Sequence, residues 1–143
     1  MESLVARSLV GTWTLVDWTA SVDETVLRPF GGKAEGWLTY TEDGRMWAAL
    51  QRRDRAALGT GTLAAATAEQ RAAAAAGYLS YGGRYTRDGD RVVHHVETSL
   101  FPDWIGAVQI RLISWVRDDL VLSTPDERSA GGRTVVNRLR WSR

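Results

Sequence analysis

The chain has 143 residues, 44% hydrophobic and 24% charged, with a formal net charge of +1; this is the size of one ordinary domain, expected over 1–143, with the composition of a globular protein. No apolar run approaches the roughly 18 residues a membrane-crossing helix needs, and the lack of cysteine excludes disulfides, thiolate catalysis and cysteine-ligated metals, leaving packing to hold the fold together. All but one of the 18 basic residues are arginine, the exception being Lys33, and they are spread among 17 acidic residues rather than gathered into a stripe, which argues against a nucleic-acid partner.

The opening MESLVARSLVGTW is interrupted by Glu2, Arg7 and Ser8, so it lacks the continuous apolar segment of a secretory signal, and a cytoplasmic protein is expected. From Trp13 to Thr19 the chain alternates with the period of a strand. EGWLTY (35–40) and RMWAAL (45–50) flank TEDG, whose Asp43-Gly44 suits a tight turn, so these segments read as a hairpin. Residues 51–66 are first charged and then rich in Gly and Thr, a mobile loop by composition.

TAEQRAAAAAGY follows as the one helix: Thr67 with Gln70 three residues later fits a capping box, the alanines have the highest helix propensity, and Gly77 marks a stop. Strand signals then return in LSYGGRYTR, RVVHHVETSL, AVQIRLISWV, LVLST and RTVVNRLRW, separated by DGD, FPDWIG, RDD and PDERSAGG. The expectation is eight antiparallel, up-and-down strands closed into a barrel, with the helix between the third and fourth, because closure removes unpaired edges. Such a barrel is either filled by side chains or holds one small ligand.

LVGTWTL at 9–15, GWLTYTEDGRM at 36–46, YLSYGGRY at 78–85, VVHHVETSLFPDWIGAVQIR at 92–111 and the terminal LRWSR occur in order over nearly the whole chain. In these blocks the sequence resembles the small bacterial and fungal lipocalin-like domain family of calycin-type barrels. The resemblance implies a barrel plugged at one end by Trp13, beneath an arginine of the last strand, Arg140 or Arg143, of which Arg140 is taken for the structural role. It also implies a small-molecule site, and in related barrels of natural-product pathways a cyclisation without a cofactor.

Both histidines fall in RVVHHVETSL. Adjacent strand residues point to opposite faces, so His94 and His95 cannot share a metal ion. Val92, His94, Val96, Thr98 and Leu100 form the more apolar face, which turns His94 inward and leaves His95 and Glu97 outside. A buried histidine is more often a satisfied core residue than a catalyst; an ordinary pKa of about 6.5 nevertheless suits proton transfer near neutrality. Arg111 is the second candidate. Alternation by hydrophobicity turns it to solvent, whereas the resemblance turns Gln109 and Arg111 to the cavity, with Asp17 as a partner on the first strand; the inward setting is preferred.

Tyr40, Met46, Tyr81, Tyr85 and Trp115 are expected to line the cavity, with Trp47, Trp104 and Gln109 also touching the ligand and FPDWIG forming its rim. Trp13 and Trp141 are structural, and Trp18 and Trp37 lie outward or under the helix. Gly82-Gly83 suggests a bulge. No phosphate-cradling, dinucleotide or nucleophile-elbow motif is present, and no metal or cofactor is expected.

Three readings follow. A flexible polyketide- or terpenoid-like molecule is folded in the cavity and cyclised or isomerised without a cofactor, with His94 and Arg111 polarising it or moving a proton. Alternatively the cavity only carries or sequesters a small apolar molecule. Third, the barrel is filled and its exposed aromatics mediate protein contacts. The expected partner is a small apolar ligand, with no membrane or nucleic acid, and a homodimer is compatible with the sequence.

Overall fold

The computed structural model describes residues 6–125, 127–128 and 131–143; the turn residue Asp126 and part of the loop read over 125–132 lie outside them. The strands are β1 (Gly11–Val22), β2 (Thr25–Leu27), β3 (Ala34–Tyr40), β4 (Arg45–Arg52) and β5 (Tyr78–Asp88) in the first part of the chain. They continue with β6 (Arg91–Ser99), β7 (Val108–Val116), β8 (Asp119–Ser123), β9 (Glu127–Arg128) and β10 (Thr134–Ser142). Each long strand pairs antiparallel with its neighbours, and β10 pairs with both β8 and β1, so eight strands close into a barrel while β2 and β9 are short appendages. The up-and-down barrel expected from the alternation is therefore present.

The one α-helix among the described residues, α1 (Ala68–Ala76), lies between the third and fourth barrel strands. It starts where expected: Gln70 N–H donates to the Thr67 hydroxyl at 3.1 Å, and Thr67 N–H donates to Gln70 Oε1 at 2.9 Å. Gly77 caps it at φ −100°, and its carbonyl accepts from Arg52 N–H at 2.9 Å, tying the helix end to β4. None of the helix residues is buried, so α1 decorates the barrel rather than filling it.

Two bulges decide which side chains enter the barrel. In β1, Leu15 pairs with Trp141 but Asp17 pairs with Arg140, so Val16 is an extra residue and the alternation changes phase. Trp13 and Leu15 face the core before it; after it Trp18 turns in and Asp17 turns out to an ion pair with Arg28. The second bulge follows Gly82: Gly82 pairs with Thr98 but Gly83 with Val96, leaving Glu97 unmatched. A Cβ on Gly83 would lie 1.9 Å from the His95 carbonyl oxygen, so only glycine permits this approach. Val92, His94 and Val96 are consequently buried, while Thr98 and Leu100, expected on the same inner face, are exposed.

One end is closed by Trp13, which is fully buried and donates its indole N–H to the Leu9 carbonyl at 2.8 Å. The Arg143 guanidinium lies 4.3 Å from the Trp13 ring centre and donates to the Val10 carbonyl at 2.8 Å. The absent side chain of Gly11 makes room, since a Cβ there would meet Arg143 Cδ at 3.0 Å. Arg140 does not take the place assigned to it. Trp141 and Leu139 set the inner face of β10, which puts Arg140 on the other face, where it donates to Asp119 at 2.7 Å.

Candidate functional site

Beyond the Trp13 plug, the barrel holds a partly open cavity of about 290 Å³, near the lower end of the roughly 300–1,000 Å³ range of small-molecule sites. Its apolar wall comprises Leu38, Ala48, Leu50, Leu79, Leu122 and Leu139. Trp18, Tyr81, Trp104 and Trp141 add aromatic surface, and His94, Gln109, Arg111, Thr124 and Asn137 supply polar groups. The barrel is therefore not filled by its own side chains, the premise on which the third reading began.

His94 is 2% exposed and held from both sides. Its Nε2 lies 2.6 Å from the Tyr40 hydroxyl and its Nδ1 2.6 Å from the Tyr81 hydroxyl. Burial, with the nearby Arg111 charge and then His95, pushes its pKa down to about 3, so the ring is neutral at pH 7. A neutral imidazole has one N–H and one lone pair, so one tyrosine donates to it and the other accepts. Tyr40 is 1% exposed and outside the cavity wall, with His94 as its hydrogen-bond partner.

Its O–H therefore donates to Nε2, since the reverse arrangement would strand a buried hydroxyl proton at a cost of about 1–3 kcal/mol. Nδ1–H then donates to Tyr81, and the Tyr81 proton is left facing the cavity side. Burial raises the pKa of both hydroxyls, against an opposing pull from Arg111, so both stay protonated.

Arg111 lines the cavity, as the inward setting of β7 expects. Gln109, Arg111, Ile113 and Trp115 share the inner face, while Val108 and Leu112 are 50% and 38% exposed. The hydrophobic alternation pointed the other way because the outer strand face keeps its aliphatics. The guanidinium donates to the Ile110 carbonyl at 2.8 Å and to Gln109 Oε1 at 3.3 Å. Asp17 is not its partner, because the β1 bulge turns that carboxylate outward to Arg28.

Several expected ligand contacts are absent from the cavity wall. Met46 and Tyr40 are buried below it, and Tyr85 packs edge-on against Tyr40 at 4.7 Å and donates to the Thr41 carbonyl at 2.7 Å. Trp115 sits at the plugged end, 6.0 Å from Trp13, with the Arg7 guanidinium 5.0 Å from its ring centre. Trp47 is 62% exposed because Met46, Ala48 and Leu50 occupy the inner face of β4. Trp104 is on the wall, edge-on to Tyr81 and Phe101, so FPDWIG does deliver one aromatic ring to the cavity.

The wall also holds residues that sequence reasoning missed. Trp18 enters only because of the β1 bulge, which no sequence signal announces, and its indole donates to Asn137 Oδ1 at 3.0 Å. Asn137, Leu139 and Trp141 share one parity of β10, with Arg138 and Arg140 on the other, so Asn137 and the cavity role of Trp141 were legible in the alternation. His95 reaches Thr86 and Glu97 pairs with Arg45, both on the outside. Among the described residues no group of three or more His, Asp or Glu could hold a metal ion, and no helix is long and apolar enough to cross a membrane.

Residues 10–143 match the model of the lipocalin-like domain family. A 4'-hydroxy-3'-methoxypropiophenone carrier protein from Aspergillus oryzae (strain ATCC 42149 / RIB 40) is 36% identical over 83 residues, covering 52% of this chain and 75% of that protein. No solved structure matches the chain. With the family model spanning all but the first nine residues and the barrel closed as described, the chain belongs to the lipocalin-like domain family.

Proposed function

We propose that this protein binds one small, largely apolar molecule of polyketide- or terpenoid-like character inside the barrel and acts as its carrier. The carrying observation is the cavity itself: a hollow of about 290 Å³ whose surface is mostly leucine and aromatic, with its polar groups restricted to a few residues. Burying such a ligand releases apolar surface from water at about 25 cal/mol per Å². The likeness to a fungal protein named as the carrier of an aromatic ketone supports the same reading. Titration with 2-ethylnaphthalene, followed by tryptophan fluorescence, tests it. Saturable binding that is weakened in Leu79→Trp, which narrows the cavity, is expected; no saturable signal with this probe or with its carboxylate and acetyl analogues, 2-naphthoate and 2-acetonaphthone, in the unaltered protein overturns the reading.

Catalysis of a cofactor-independent cyclisation or isomerisation is the second reading, favoured by one observation: the hydroxyl of Tyr81, on the cavity wall, shares a 2.6 Å hydrogen bond with His94. In that case Tyr81 would be the group that meets the substrate, because both nitrogens of His94 are engaged. Arg111 would hold a developing oxyanion. Recovering bound molecules by mass spectrometry separates the two: a carrier returns its ligand unchanged, whereas an enzyme returns an isomer and loses that conversion in Tyr81→Phe and His94→Gln.

A further inference from the structure

The neutral polar groups of the cavity wall share one property: each acceptor atom already holds one hydrogen bond. Gln109 Oε1 accepts from Arg111, and Asn137 Oδ1 accepts from the Trp18 indole. Because guanidinium and indole nitrogens are donors only, these two contacts fix both amides with their NH₂ groups pointing elsewhere. The Thr124 hydroxyl oxygen accepts from Asn137 N–H at 2.8 Å. The Tyr81 oxygen accepts from His94 Nδ1–H by the proton count given above. Each oxygen keeps a second lone pair, but each of these residues also has at least one unassigned hydrogen to offer an occupant.

Arg111 adds charge to this bias. Its two hydrogen bonds in the structure go to neutral oxygens, whereas a guanidinium carries five N–H donors. No aspartate or glutamate is on the cavity wall, and none is within ion-pair distance of Arg111 among the described residues. A half-buried cation facing an apolar hollow without a counter-ion is costly. The indole N–H of Trp141, another wall residue, is buried without a partner.

Resting on the reading of the cavity as a binding site, we propose that its ligand carries an oxyanion, a carboxylate, phenolate or enolate, on an otherwise apolar body, and that Arg111 is the residue that selects it. The ligand supplies the counter-charge that the wall lacks and an acceptor for its unassigned hydrogens. Purely hydrocarbon molecules fit the volume but leave the donors unanswered.

Three probes of one shape test this at pH 7.5: 2-naphthoate, neutral 2-acetonaphthone and 2-ethylnaphthalene, each titrated against the whole chain by tryptophan fluorescence. The expected order of affinity is naphthoate, then acetonaphthone, then ethylnaphthalene, with about tenfold or more between first and last, as a charge-assisted hydrogen bond provides. Arg111→Met should remove the naphthoate advantage, so that in this variant 2-naphthoate binds no more tightly than 2-ethylnaphthalene. Arg111→Lys should retain part of that advantage, since it keeps the charge without the planar fork.

Equal or tighter binding of ethylnaphthalene by the unaltered protein overturns the inference while leaving the cavity reading intact. A naphthoate preference that survives Arg111→Met in a folded variant also overturns it. Failure of all three probes to bind overturns the cavity reading and the inference together. If Arg111→Met does not fold, the ranking in the unaltered protein decides.

Discussion

The hydroxyl of Tyr40 lies 2.6 Å from Nε2 of His94, mirrored by Tyr81 on Nδ1, and burial of the imidazole between them, with the nearby Arg111 charge, keeps it neutral at the base of the cavity. The consequence is a defined pH dependence of stability. The folded pKa of His94 is depressed to about 3, against an unfolded value of about 6.5, so between these values the unfolded chain binds more protons. The contribution is complete above pH 6.5 and is lost as pH falls toward 3, with a slope of at most about 1.4 kcal/mol per pH unit. Denaturant unfolding from pH 7.5 to 4 should show His94→Gln with a shallower decline than the unaltered protein. An identical slope would remove His94 from the titration.

Gly83 is held to its position by the His95 carbonyl, 1.9 Å from where a Cβ would stand. Gly83→Ala should cost about 2–4 kcal/mol, because backbone and not a flexible side chain must move. Gly82→Ala, whose Cβ would meet the Met46 carbonyl oxygen at 3.1 Å, should cost clearly less. Chemical denaturation of the pair checks the ranking.

At the plugged end, Arg143 and Arg140 should differ in the sense opposite to the choice of Arg140 over Arg143 for the structural role. Arg143→Ala removes the cation over Trp13 and a donor to the Val10 carbonyl, a loss of about 1–2 kcal/mol. Arg140→Ala breaks a part-exposed pair with Asp119, worth less than about 1 kcal/mol. Melting temperatures at equal protein concentration compare them directly.

Trp104 and Trp47 offer a paired test of where ligand binds. Trp104→Ala removes a wall residue and should weaken 2-naphthoate binding by about fivefold to tenfold. Trp47→Ala alters a side chain that is 62% exposed on the outer face and should leave affinity within about twofold. The reverse order would move the site to the outer surface.

Much of the fold was legible because strand period, turn chemistry and the Thr67/Gln70 box all act locally. The inner position of His94 was legible for the same reason, since Val92 and Val96 flank it at even spacing. What was not legible depended on events that alternation cannot carry. One extra residue at Val16 exchanged Asp17 for Trp18 on the inner face, and one at Glu97 moved Leu100 outside. Trp47 and Trp115 were misplaced for another reason: a large ring is attractive wherever it falls, but its parity on β4 and its depth along β7 decide what it touches.

The seam between β1 and β10 joins Thr14–Val22 to residues near the very end of the chain, and Trp18 reaches Asn137 across 119 positions. During synthesis the first strand therefore leaves the ribosome long before the strand that completes its sheet. Until residues 134–142 emerge, the nascent ring has two raw edges and an uncovered apolar lining, the interval in which it is most exposed to wrong pairing.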